Sequence, residues 1–109
     1  MLGEQEFHKK ADEALGRLYS TLAEASNDYD FDVDMNGGAL TIEFEDPPEK
    51  FVVSPNSPVR QIWVSAHTTS FKLDWVEEEN SFELPATNQP LDEMIYGAIR
   101  KHIPDFALD

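Results

Sequence analysis

The chain has 109 residues, no cysteine and a formal net charge of −14. A domain of this size buries about two thirds of its unfolded surface, enough for one two-layer core, and a chain without cysteine excludes disulfides, thiolate chemistry and any cysteine-ligated zinc or iron–sulfur site of its own. The charge argues against nucleic acid as a partner, because phosphates are repelled, and favours cations or basic protein surfaces, the bland alternative for any one acid being solubility.

Residues 4–25 predict an amphipathic helix. Phe7, Ala11, Leu15, Leu18, Leu22 and Ala25 draw one apolar stripe, and Glu4 and Glu6 suit the positive end of the helix dipole. His8 and Asp12 share a flank as a candidate metal pair, although such a pair on a helix is more often solvated. From Asp28 to Met35, acids at 28, 30, 32 and 34 alternate with Tyr29, Phe31, Val33 and Met35. That period predicts a strand with every acid on one face. Asn36-Gly37-Gly38 supplies a tight turn, and Leu40, Ile42 and Phe44 return on the apolar face of a second strand.

The same stretch matches a calcium-loop pattern through Asp32, Asp34, Asn36, Gly37 and Glu43. That loop needs a helix on each side; the flanks here alternate like strands, so a hairpin is expected. Asp46-Pro47-Pro48-Glu49 reads as a turn, Lys50–Val53 as a short strand, and Ser54–Pro58 as a loop, because its two prolines cannot donate to a sheet ladder.

Arg60–Ala66 follows as the strand around which the chain is organised. Ile62, Val64 and Ala66 share one face; Gln61, Trp63 and Ser65 share the other. A tryptophan among polar neighbours marks a candidate binding surface, the bland alternative being that it packs under a second layer. His67–Ser70 reads as a turn, Phe71–Val76 as a strand, Glu77–Asn80 as a charged turn and Ser81–Leu84 as a last short strand. Pro90 opens a second helix with a stripe of Leu91, Ile95, Ala98, Ile99, His102 and Ile103. Pro104 ends it, and Phe106 and Leu108 are expected to tuck back onto the core.

Helix, antiparallel strands, helix: two helical stripes and one sheet face are buried most cheaply by laying both helices on the same face. The expected fold is therefore α+β, a two-layer α/β sandwich in a single domain spanning 1–109, with Trp63 on the face left open. Charge follows the same division. Residues 1–50 carry 13 acids against 4 bases, residues 51–76 one acid against two bases, and residues 77–109 eight acids against two bases. A near-neutral aromatic sheet thus lies between two acidic blocks, which points to two kinds of partner. No apolar run is long enough to span a bilayer and the N-terminus is not signal-like, so a soluble, cytoplasmic protein without a membrane role is expected.

Three pieces in order carry a resemblance that spans nearly the whole chain: Glu6-Phe7-His8-Lys9 with Ala11-Asp12; Asn36-Gly37-Gly38-Ala39-Leu40-Thr41-Ile42 with Phe44-Glu45; and Pro58-Val59-Arg60-Gln61-Ile62-Trp63-Val64-Ser65. With the acidic strand and flanking helices, the pattern resembles the frataxin family, its bacterial branch most closely. The resemblance implies a frataxin-like fold and a non-catalytic role in iron–sulfur cluster assembly. It implies weak iron binding on an acidic ridge, carried here by Glu4, Glu6, His8, Glu24, Asp28, Asp30, Asp32 and Asp34. It also implies docking on a cysteine desulfurase and its scaffold protein through Asn56, Arg60, Gln61 and Trp63, with Lys72 nearby. The late part of the first helix departs from the family pattern: Tyr19, Ser20 and Ala23 stand where acids are usual, and Ser26 interrupts the acidic series. Ser54 and Pro55 stand where some members carry an amide and a base.

Carboxylate oxygens suit ferrous and ferric iron, and carboxylates spread over a surface without a second shell bind loosely. Two alternatives remain at this point. One is an acidic protein-binding module or inhibitor with no metal role. The other is an enzyme built on carboxylates and His8, His67 and His102, which sit in separate elements without a nucleophile arrangement or a phosphate loop; iron oxidation as a side activity belongs to the same question.

Overall fold

The computed structural model describes residues 2–45 and 48–107. Helix α1 (Glu4–Ala25) leads into strands β1 (Phe31–Asn36), β2 (Ala39–Glu45), β3 (Pro48–Asn56), β4 (Gln61–Ala66), β5 (Thr69–Val76) and β6 (Ser81–Glu83), and helix α2 (Leu91–His102) follows. The strands form one antiparallel sheet in simple sequential order. Each hairpin pairs neighbours in sequence, so the period-2 pattern of every strand adds to the same two faces.

One face is the core. Phe31, Leu40, Ile42, Phe44, Phe51, Val53, Ile62, Val64, Ala66, Leu73 and Phe82 meet the stripes of both helices, and all are buried. The α1 stripe is the one expected from spacing. On α2, Leu91, Ile95, Ala98 and Ile99 are buried as expected and Met94 joins them, whereas Ile103 is half-buried at the margin. Phe106 returns to the core, stacking on Tyr29 with ring centroids 5.0 Å apart. The Tyr29 hydroxyl accepts from the Ala107 N–H at 3.1 Å and stitches the tail to the loop after α1. Leu108 lies outside the described residues.

Three expectations are corrected. The acidic strand begins at Phe31, not Asp28: after α1, Asn27 and Asp28 donate their N–H groups back to Glu24 and Ala25, and the chain turns through residues 26–30 before extending. Local capping of the helix end wins over alternation there. Strand β3 is longer than expected, running from Pro48 through Ser54 and Pro55 to Asn56, although Asp46 and Pro47 lie outside the described residues. Its pairing with β2 ends at Val53, so Pro55 has a ladder neighbour on the β4 side alone, where a proline is tolerated. Strand β5 starts at Thr69, two residues earlier than its apolar pattern.

The calcium pattern folds as a hairpin. Asn36 pairs with Ala39 across Gly37 and Gly38, at φ 63° and 85°, two successive left-handed residues of the kind a twisted two-residue hairpin requires. The β3–β4 and β5–β6 connections share another design. Each is a three-residue 3-10 turn (Ser57–Val59 and Glu77–Glu79) closed by one left-handed residue, Arg60 at φ 55° and Asn80 at φ 51°.

Candidate functional site

The second sheet face carries no helix, and the register assembles it row by row. Asp32 faces Glu43, which faces Lys50; Ser54 faces Trp63, which faces Lys72; Asn56 faces Gln61, then Asp74, then Glu83. The β1–β2 end is acidic through Asp32, Asp34, Glu43 and Glu45. The centre is nearly neutral: Val52, Ser54, Ser65, Ser70 and Lys72 surround Trp63 in a shallow hollow of about 270 Å³. Asp74 and Glu83 restore negative charge at the far end.

Trp63 is 38% exposed and Val59, in the preceding turn, 51%; among the described residues these are the exposed large apolar side chains. The Trp63 indole N–H donates to Gln61 Oε1 at 2.9 Å, and Gln61 Nε2 donates to Asp74 Oδ1 at 2.9 Å. Lys72 Nζ lies over the ring, 4.9 Å from its centroid, within the range of a cation–π attraction. Arg60 turns inward: one terminal N–H donates to the Ser57 carbonyl, and its Nε is buried without a partner. A non-glycine residue in the left-handed region is strained by about 1 kcal/mol or more, and Asn80, in the matching turn, is a type that tolerates it better. The structure therefore gathers Asn56, Arg60, Gln61, Trp63 and Lys72 at β3–β5. Val59 and Asp74 belong with them; sequence reading passed over both, although Gln61–Asp74 pairing follows once the β4–β5 register is known.

The ridge residues are arranged differently. Glu4, Glu6 and Glu24 project from α1, Asp28 and Asp30 from the turn, and Asp32 and Asp34 from β1, all exposed. His8, one turn along α1 from Glu4, has its Nε2 3.3 Å from Ser57 Oγ beside the β3–β4 turn. Among the described residues no three histidine or acidic side chains converge on a point that holds a metal ion. The donors fit iron in chemical type and are too spread for a preformed cage.

A third cluster was not foreseen. Glu49 points inward from the start of β3, in the row of Phe31 and Phe44. His67 Nδ1 lies 2.8 Å from its Oε1 and His102 Nδ1 3.1 Å from its Oε2. His67 occupies the left-handed position of the β4–β5 turn. His102, expected in the buried stripe of α2, is mostly buried and stacks on Phe44 at 4.2 Å. Two histidines that sequence placed in separate elements thus meet on one carboxylate, tying α2 to β3 and to the β4–β5 turn. Among the described residues these two histidine contacts are the ones at salt-bridge distance; no lysine or arginine engages a carboxylate within 4.0 Å. Tyr96, facing Thr21 in the groove between the helices, has its phenol pushed up by burial, then by Asp92, against a hydrogen bond to Thr21. It is a packed neutral phenol rather than an acid–base group.

Two helices on one face of a six-stranded antiparallel sheet, with an aromatic patch between acidic margins, define an α/β sandwich with one sheet face left open. The chain belongs to the frataxin-like domain family, whose model matches residues 1–105. It is 33% identical over 88 residues to the iron–sulfur cluster assembly protein CyaY of Herminiimonas arsenicoxydans, covering 74% of this chain and 79% of the relative. It is 28% identical over 100 residues to the protein of the same name from Pseudomonas fluorescens, covering 92% and 88%. In fold it is similar to the frataxin from Psychromonas ingrahamii, with a TM-score of 0.81 at 23% identity over 93% of this chain and 91% of that one. Trimeric yeast frataxin superposes with a TM-score of 0.74 at 21% identity, covering 88% and 80%. No helix among the described residues is long and apolar enough to cross a membrane.

Proposed function

We propose that this chain serves iron–sulfur cluster assembly as a non-catalytic, cytoplasmic adaptor. It binds ferrous or ferric iron weakly along its acidic ridge and docks through the open sheet face on a cysteine desulfurase and its scaffold protein. The observation that carries this reading, beside the printed function of the CyaY relatives, is the Trp63 patch: a half-exposed aromatic in a neutral centre, with acids on either side. Such a surface suits a partner with an apolar contact and a basic rim. The desolvated ring supplies affinity, and the surrounding charge speeds encounter in a salt-dependent way. Trp63→Ala is expected to leave the fold intact and weaken binding to the desulfurase–scaffold complex by about 2 kcal/mol, roughly thirtyfold. Unchanged affinity would remove the docking surface.

Iron on the ridge is tested by anaerobic ferrous titration followed by amide NMR, with calcium as the control ion. Shifts confined to residues 4–34, with calcium competing poorly, support the ridge. Tight calcium binding around residues 32–43 would restore the loop pattern that the hairpin argues against. Binding of neither ion favours the second reading, an acidic protein-binding module without a metal. A turnover assay matching free iron would exclude ferrous oxidation as a side activity.

A further inference from the structure

Between Trp63 and Asp74 the donors and acceptors can be arranged in one order. A carboxylate without its proton only accepts, and an indole N–H only donates. Gln61 lies between them, 2.9 Å from each. One amide orientation satisfies both neighbours. The flipped one sets its NH2 against the indole N–H and its oxygen against the carboxylate.

We propose that Asp74 is a positioning residue for Trp63: by fixing the Gln61 amide, it holds the indole in the pose that the open face presents to a partner. The inference rests on the docking reading above. The ring is then held on two sides, its N–H edge by Gln61 and its face by the Lys72 ammonium. A half-exposed tryptophan without such supports samples several rotamers, and ordering it on contact weakens binding.

Asp74 occupies this position against a local penalty. Glu83 stands directly across from it on β6, buried, with its Oε2 accepting from Ser81 Oγ at 2.9 Å. Two acids directly opposite one another are unfavourable. That like charge discourages Asp74 from turning toward β6 and leaves the Gln61 amide, on the β4 side, as its partner. The hydrogen bonds run Trp63 to Gln61 to Asp74 across two strands, and the acceptor at the end sets the direction of the whole series.

Two substitutions separate acceptor from charge. Asp74→Asn keeps an oxygen for Gln61 and loses the charge; Asp74→Leu keeps similar volume and loses the acceptor. In the free protein, the Trp63 side chain is read by its χ1-dependent couplings, its contacts to Gln61 and Lys72, and exchange of its indole N–H. Affinity for the desulfurase–scaffold complex is measured on the same samples, with Trp63→Ala as the control. Asp74→Asn should match the wild type in the Trp63 readouts, and any loss of affinity from the missing charge should disappear at high salt. Asp74→Leu should show averaged couplings, faster indole exchange and about three- to tenfold weaker binding. Should Asp74→Leu fail to fold, Asp74→Ala is read in its place. A wild-type Trp63 rotamer without the acceptor overturns the inference, as does an Asn variant that behaves like Leu. If instead Trp63→Ala binds as tightly as wild type, the docking reading fails, while the change in free-protein rotamer still stands or falls by itself.

Discussion

Asp28, Asp30, Asp32 and Asp34 at one margin of the domain and Trp63 at the centre of the sheet differ in how far each side chain is held. The aspartates are exposed, form no ion pair among the described residues, and draw close to no third donor. Trp63 has a hydrogen bond on its edge and a cation over its face. The difference fits what each region would act through in the proposed role. A field of like charges works at a distance of several ångströms, summed over its members, and tolerates loose placement. A desolvated aromatic contact works within van der Waals range and gains from every degree of freedom already frozen. One small domain therefore keeps these four aspartates free and Trp63 fixed.

The contrast can be broken first at Glu49, a carboxylate that is held. Glu49→Ala removes the acceptor from His102, whose ring is mostly buried; denaturant unfolding should show a loss of about 1–3 kcal/mol. Neutralising Asp28, Asp30, Asp32 and Asp34 together to Asn should leave stability unchanged or raised. It should slow association with the desulfurase–scaffold complex on the order of tenfold at low salt, a deficit that disappears as salt screens the charges. Stopped-flow rates across an ionic-strength series check this; a salt-independent deficit would mean that the aspartates make specific contacts. The smallest effect belongs to Asp32→Asn alone. Asp32 faces Glu43 directly, so relief of that repulsion should stabilise the hairpin by about 0.2–1 kcal/mol, read as a small rise in the unfolding midpoint.

Much of the fold was legible because period and punctuation agree. The α1 stripe, the glycine hairpin after Asn36 and the alternation of Ile62-Trp63-Val64 each depend on neighbours within one element, and the structure reproduces them. What sequence missed depends on neighbours in other elements. Pro55 reads as a loop residue until the early end of β2 is known. Glu49 reads as a turn residue until β3 proves to start at Pro48 and aims it inward at two histidines more than fifteen positions away in sequence. Asp30 reads as a strand residue because alternation begins before the backbone extends. Of the candidate site, the face that carries Trp63 and Gln61 was readable from alternation. Their support by Asp74 was not, since it needs the β4–β5 register.

The two edges of the sheet are also worth considering as surfaces that another strand could join. β1 is the long free edge, and its outward side chains are Asp32, Asp34 and Asn36; β6 is three residues long, and Glu83 is bridged to Pro90 at its end. A charged edge and a truncated, proline-covered edge both deter an incoming strand. The domain can thus leave an entire sheet face uncovered while both edges of its backbone ladder discourage the addition of a further strand. The β1 aspartates would serve that purpose whether or not a metal ever binds them.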